Sequence, residues 1–298
     1  DLPNVTMVKN LGSVSSNGDG TYTVTYEVIV SNTGGAGSSY TLTDTPLFDD
    51  DVTINGGSFS GQNSGALIDG ANTLATAEAI APGATHVYNL SFNVTLNLSG
   101  DANDNDGGDN VYVACSEPGN GPGSNPGEGL YNLAQLDIDN DGDIDIEDDA
   151  CGDLPNLDME KDFVSATPNG DGTYTVLYTV TVVNNGGAEG VYGLTDTPSF
   201  DDDVTINSGS FSGQNSGGLT AGTNTLASAE TIAAGATHTY NLSFNVSLSI
   251  NPNSNDGGDN VYTPCSEPGN GPGSNPGEGL YNLAELDRDG DGDTDIED

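Results

Sequence analysis

The sequence predicts an all-β protein made of two tandem β-sandwich repeats, and three observations predict it. The chain repeats itself: Asp1-Leu2-Pro3-Asn4 returns as Asp153-Leu154-Pro155-Asn156, and Gly20-Thr21-Tyr22-Thr23-Val24 as Gly172-Thr173-Tyr174-Thr175-Val176. Long segments alternate apolar and polar residues with period two. Turn residues abound, with 43 glycines in 298 residues, and no segment carries a helical period.

The repeat offset is 152 up to about residue 98 and 150 after a short deletion near residues 99–105, so Cys115 aligns with Cys265. Each copy of about 150 residues is long enough for one core. The expected boundaries are a first sandwich over 1–136, a calcium-binding junction over 137–152, a second sandwich over 153–286 and a second calcium-binding loop over 287–298.

Within the first copy, residues 5–11 read as a strand and Asn17-Gly18-Asp19-Gly20 as a hairpin turn. Residues 21–31 form the clearest strand. There Tyr22, Val24, Tyr26, Val28 and Val30 point one way, and Tyr174, Val176, Tyr178, Val180 and Val182 repeat the pattern. Residues 39–45 make a third strand stopped by Pro46. A short strand is expected at 52–55, after Asp49, Asp50 and Asp51. Residues 58–77 are rich in Gly, Ser and Asn and mark no clear element. The segment 86–98 is a second strong strand, with Tyr88, Leu90, Phe92, Val94 and Leu96 on one face. Strands at 110–115 and 130–136 flank a Gly/Pro loop at 117–128. Seven or eight short strands with Gly/Asn turns indicate an immunoglobulin-like sandwich.

Charge narrows the function. Lys9, Lys161 and Arg288 face 46 acids, for a net charge of −43. No basic patch exists to neutralise phosphate, which excludes nucleic acid and argues against anionic membranes. Such self-repulsion destabilises a compact state unless cations offset it. No apolar run reaches membrane-spanning length, so no membrane insertion is expected. The chain starts with Asp and carries no signal sequence, so it reads as a mature or excised piece of a longer array.

An aspartate ladder is the strongest chemical signal. With Asp137 as position 1, Asp139, Asp141, Asp143, Asp145 and Asp148 fall at positions 3, 5, 7, 9 and 12, and Gly142 at 6. This is the spacing of a twelve-residue calcium loop, in which carboxylates and one backbone carbonyl supply hard oxygens and Gly permits the turn. Asp287, Asp289, Asp291, Asp293, Asp295 and Asp298 repeat it around Gly292. The flanks read as strand and linker, so one calcium ion is expected per ladder, outside an EF-hand fold. Asp49, Asp50 and Asp51 with their copies Asp201, Asp202 and Asp203, and Asp106 and Asp109 with Asp256 and Asp259, are weaker cation candidates.

Cys115 and Cys151 belong to the first copy and Cys265 to the second. A Cys115–Cys151 disulfide is expected, which implies an oxidising, extracytoplasmic setting. Zinc is not expected, because no Cys-x-x-Cys pair exists and neither His86 nor His238 lies near a cysteine. Neither histidine has a sequence partner for catalysis, and no nucleophile elbow, phosphate loop or zinc-helix motif occurs.

The run Tyr22-Thr23-Val24-Thr25-Tyr26-Glu27-Val28-Ile29-Val30-Ser31-Asn32-Thr33-Gly34, followed by Leu42-Thr43-Asp44-Thr45-Pro46, resembles the "conserved repeat domain" family of bacterial and archaeal surface proteins. The segment from Asp148 to Pro155 resembles their repeat junctions. The resemblance implies immunoglobulin-like modules in a long cell-surface or secreted protein, with no general catalytic residues. The calcium ladders resemble EF-hand-like and thrombospondin-type loops.

Together these readings point away from an enzyme. They point to a calcium-stiffened extracellular fibre, filament or adhesin stalk that contacts neighbouring repeats or other copies of itself. A calcium-dependent adhesin module gripping a surface glycan or protein is the alternative. Absent Trp, with most Tyr and Phe on strands, disfavours a glycan site.

Overall fold

A computed structural model describes residues 1–97, 111–120, 123–250, 258–267, 274–290 and 292–298. Among these residues every regular element is a strand. The chain divides into unit 1, Asp1–Asn156 with Gly186–Ala188, and unit 2, Leu157–Asn185 with Glu189–Asp298.

Unit 1 contains β1 (Val5–Ser16), β2 (Thr21–Asn32), β3 (Ser38–Pro46), β4 (Val52–Gly61), β5 (Gly65–Leu67), β6 (Asn72–Ile80), β7 (Thr85–Leu96), β8 (Gly119–Asn120), β9 (Leu130–Asp137) and β10 (Ile146–Gly152). Its two antiparallel sheets have the orders β1-β2-β7-β4-β5 and β6-β3-β9-β10-β8. Inward residues of β2 and β7 meet Tyr40 and Leu42 of β3 and Leu130, Ala134 and Leu136 of β9 in one sandwich core. Alternation drives this: every second residue of β2 is buried, and each fully buried Val, Leu or Phe contributes about 1.5–3 kcal/mol.

Unit 2 contains β11 (Leu157–Pro168), β12 (Thr173–Asn184), β13 (Gly190–Pro198), β14 (Val204–Gly213), β15 (Gly217–Leu219), β16 (Asn224–Ile232), β17 (Thr237–Leu248), β18 (Asn282–Asp287) and β19 (Ile296–Glu297). Its sheets run β11-β12-β17-β14-β15 and β16-β13-β18-β19 around a second core. One expected inward residue departs from the pattern: Tyr174 is 39% exposed.

Three sequence expectations change. The Gly/Ser-rich stretch 58–77 is largely strand, the end of β4 with β5 and most of β6. A bulge between Ile54 and Gly56 breaks the alternation there. A Cβ on Gly57 would lie 2.8 Å from the Ser91 carbonyl, so this strand approaches β7 closely only because it lacks side chains. The described part of the expected strand 110–115, residues 111–115, forms no strand.

The third change concerns the junction. Segment 137–152, expected to join the repeats, lies within unit 1 as the tip and second strand of a β9–β10 hairpin, with Leu136 opposite Ile146 and Gly152 opposite Leu130. Ile146 and Ala150 turn inward and pack on the core, a strand period hidden among acids. The chain leaves β10 through residues 153–156, where Leu154 is fully buried in unit 1.

Cys115 and Cys151 form a disulfide across 36 residues, with Cα atoms 6.0 Å apart. It packs with Tyr131 beneath Leu47 and Leu133 and ties the loop before β8 to β10. Cys265 is a free, half-buried thiol. Among the described residues no helix is long and apolar enough to cross a membrane.

Candidate functional site

The ladder folds as a hairpin tip because its own backbone amides find its own carboxylates. Asp137 accepts the N–H groups of Asn140 (2.6 Å) and Gly142 (3.1 Å), and Asp145 accepts that of Ile138 (2.8 Å). Asp139 accepts the N–H of Asp141 and Asp141 that of Asp143. The winding needs left-handed backbone at Asn140 (φ 61°) and Gly142 (φ 98°), residue types that adopt it at low cost.

This winding brings Asp137, Asp139 and Asp145 together, with one oxygen of each within 4.8 Å of the others. Three carboxylates offer up to six hard oxygens, which suits a calcium-sized cation. Crowding shows in Asp139. The Asp141 N–H favours its charged form, but desolvation and the charges of Asp141, Asp145 and Asp137 leave it above the usual carboxylate range. Of the six expected ligands in unit 1, Asp141, Asp143 and Asp148 stand outside the cluster. Asp148 lies on β10 and accepts the backbone N–H of Lys9 at 2.6 Å.

Unit 2 repeats the arrangement with Asp287, Asp289 and Asp295. Asp287 accepts the N–H groups of Gly290 and Gly292, and Asp295 that of Arg288. Asp293 stands outside this cluster and Asp291 outside the described residues. Asp298 accepts the Lys161 N–H at 2.6 Å, as Asp148 does for Lys9.

The tips differ in how they are pinned. In unit 1 the Asn140 side chain bonds Thr41 (2.7 Å) and Ser39 (2.9 Å) of β3. The equivalent positions in unit 2 are Gly290, Gly193 and Val191, so that tether is absent. In place of Ile138, unit 2 has Arg288, whose Nε lies 3.6 Å from Asp295. The unit 1 cluster thus has an apolar residue at this position, and the unit 2 cluster a cationic side chain beside one of its carboxylates.

A second pair of clusters, Asp49, Asp50 and Asp51 and its copy Asp201, Asp202 and Asp203, also gathers its oxygens. The outer members of each triplet are buried and brace neighbouring loops. Asp49 accepts the N–H groups of Val113 and Asp51; Asp201 accepts those of Thr263 and Asp203. Burial pushes Asp49 and Asp203 above the usual carboxylate range. Asp106, Asp109 and Asp256 lie outside the described residues. His86 and His238 sit on β7 and β17, bonded through Nδ1 to Tyr40 and Tyr192, which bond Tyr88 and Tyr240 in turn.

Sequence reasoning missed the most unusual chemistry. Both lysines are inside the protein. Lys9 of β1 is fully buried and donates to Asp44 of β3. Lys161 of β11 donates to Asp196 of β13 at 2.5 Å. Each ammonium also lies over a tyrosine ring, 5.1 Å from the centroid of Tyr26 and 5.5 Å from that of Tyr178. Asn132 of β9 and Asn282 of β18 are buried next to these pairs, close enough to help hold Asp44 and Asp196 charged. Yet neither amide makes a hydrogen bond of ordinary geometry among the described residues. A buried amide left so costs about 1–3 kcal/mol. Burial dominates the titration of both pairs: it lowers Lys9 and Lys161 and raises Asp44 and Asp196, against the attraction of each pair. The signal was legible in Val5-Thr6-Met7-Val8-Lys9, where Lys occupies an inward position of an alternating strand.

No family model matches the chain, and no curated protein matches it. Among solved structures, the crystal structure of the coconut allergen cocosin aligns at 8% identity and a TM-score of 0.11, over 82% of this chain and 84% of that one. A likeness this slight says nothing of the fold.

Proposed function

We propose that the chain is a structural repeat segment of an extracellular surface fibre, filament or stalk, built from immunoglobulin-like sandwiches and stabilised by calcium. The observation that carries this reading is the carboxylate cluster at the hairpin tip of each unit, Asp137 with Asp139 and Asp145 and Asp287 with Asp289 and Asp295. Strand order supports the fold assignment. Neighbours β1-β2-β7-β4 follow the A-B-E-D order of an immunoglobulin sheet, and β3-β9-β10 follow C-F-G. The disulfide supports an oxidising, extracytoplasmic location.

Calcium here stiffens a unit rather than a joint, because each cluster lies at the turn of a hairpin inside its own unit. Binding cancels the repulsion among three carboxylates and fixes β10 beside β9. Partners are neighbouring repeats or further copies of the chain. The adhesin reading gains little support: among the described residues Tyr174 and Tyr262 are the only exposed aromatics.

Electron microscopy of the parent surface material, labelled with antibody to this chain, tests the proposal. Labelled filaments or stalks that lose their regular outline in chelator are expected. Label confined to soluble or intracellular material would overturn it.

A further inference from the structure

We infer that each unit closes a covalent amide bond inside its core, from Lys9 Nζ to Asn132 Cγ in unit 1 and from Lys161 Nζ to Asn282 Cγ in unit 2, with Asp44 and Asp196 as the acid–base groups.

Four observations carry this. The chain has only two lysines, and both occupy the same buried position of the repeat despite a surface crowded with acids that would welcome them. Each lysine contacts one buried aspartate. Each aspartate lies beside a buried asparagine whose amide nitrogen and oxygen have no ordinary hydrogen bond among the described residues. Finally, the register places the groups on one face. Asp44 is opposite Ala134 and Pro46 opposite Asn132, so Asp44 and Asn132 are diagonal neighbours on the same side of the β3–β9 pair. Asp196 is likewise opposite Ala284 and Pro198 opposite Asn282. The lysine reaches this face from β1 or β11, in the opposing sheet.

The groups match the needs of the reaction. An amine attacks only when neutral, and burial favours the neutral form of Lys9 and Lys161. A carboxyl polarises an amide carbonyl best when protonated, and burial raises Asp44 and Asp196. The Lys9 Nζ lone pair adds to Asn132 Cγ while the Asp44 proton moves to Asn132 Oδ1. The carboxylate then takes a proton from Nζ and passes it to Nδ2. The Cγ–Nδ2 bond breaks, the carbonyl re-forms by returning its proton to Asp44, and ammonia leaves. One amine and one primary amide become one secondary amide and one ammonia, with no change of oxidation state. Tyr26 and Tyr178 wall the site, and the burial of its side chains restricts water as the competing nucleophile.

The consequence is mechanical. The bond joins the first strand of one sheet to β9 or β18 of the other, so the two sheets cannot be pulled apart without breaking covalent chemistry. It needs neither metal nor oxidant and stands apart from the calcium proposal.

Intact-mass spectrometry of the full chain after disulfide reduction tests it. The expected mass lies about 34 Da below the sequence mass, one ammonia per unit. Tandem spectra of a digest should show branched peptides joining Lys9 to Asn132 and Lys161 to Asn282. Asp44→Asn should raise the mass by about 17 Da beyond the substitution itself, by leaving unit 1 unlinked. The full sequence mass would overturn the inference. So would the same loss with only linear peptides, which places it at succinimides, or a loss of about 36 Da, which places the bonds on Asp44 and Asp196 as water-releasing amides.

Discussion

The Asp148 carboxylate accepts the backbone N–H of Lys9 at 2.6 Å and so fastens β10 to β1. Asp298 makes the same bond to Lys161. The last acid of each ladder is therefore a clasp between strands, and the cation cluster is smaller than the twelve-residue spacing suggests. Asp139→Asn should weaken calcium binding in unit 1 by about 10-fold or more, because it removes one of three clustered charges. Asp148→Asn should leave that affinity within about twofold while costing about 1–2 kcal/mol of stability. Calorimetric calcium titration and chemical denaturation of the two variants separate the roles.

The two clusters should bind calcium unequally. Arg288 stands 3.6 Å from Asp295, whereas unit 1 has Ile138 at the equivalent place. A cation entering unit 2 meets a like charge, and the loop lacks the Asn140 tether to β3. Titration should resolve a tighter class of site in unit 1, and Arg288→Ile should tighten the weaker class by several-fold. A single class unchanged by Arg288→Ile would show that this arginine does not tune the site.

Reduction of Cys115–Cys151 should destabilise unit 1 selectively. The bond closes a 36-residue separation, and removing such a crosslink releases chain entropy worth roughly 2–4 kcal/mol. Hydrogen exchange after reduction should rise first at the loop before β8 and at β10, with unit 2, which has only the free Cys265, unaffected.

The loops before β9 and β18 should survive acid. Glu128 is held down to about 2 by the Asn125 side chain, then by the N–H and hydroxyl of Ser116 and the Asn125 N–H, and Glu278 likewise by Asn275 and Ser266. A carboxylate depressed in the folded state contributes its stabilisation above its unfolded value, near 4.3, and loses it as pH falls through the folded value. The loop hydrogen bonds should therefore persist below pH 4 and open only as pH approaches about 2. Carboxyl-carbon chemical shifts of Glu128 across this range check it; a midpoint above 4 would contradict the clasp.

Much of this fold was legible because β2 and β7 keep strict alternation, and Val24, Tyr26, Val28, Tyr88, Leu90 and Phe92 all land in the core. The start of β4 was expected at 52–55, but its end and β5 were illegible because a bulge after Ile54 and several glycines break the period, and β6 because its pairing with β3 shifts register around Leu42. β10 was hidden because its outward residues, Glu147 and Asp149, extend the acid run of the ladder. The spacing correctly marked a place where carboxylates gather, yet it over-counted: Asp148 shares the period but lies on a strand that hydrogen-bonds elsewhere. The buried lysines escaped notice because three bases among 46 acids read as a charge balance rather than as positions. Their place in the alternation was the usable sign.

Calcium-dependent thermal unfolding tests the central claim most directly. The full chain is heated at fixed pH and ionic strength in chelator, in magnesium and in rising calcium. Binding to the native clusters alone stabilises by mass action, about 2.7 kcal/mol at one hundred times the dissociation constant. Magnesium, which keeps its water and resists flexible many-oxygen sites, should do much less. The expected result is a melting temperature that climbs with calcium, falls back in chelator and responds weakly to magnesium. The same melting temperature in chelator and in calcium would contradict a calcium-stabilised repeat.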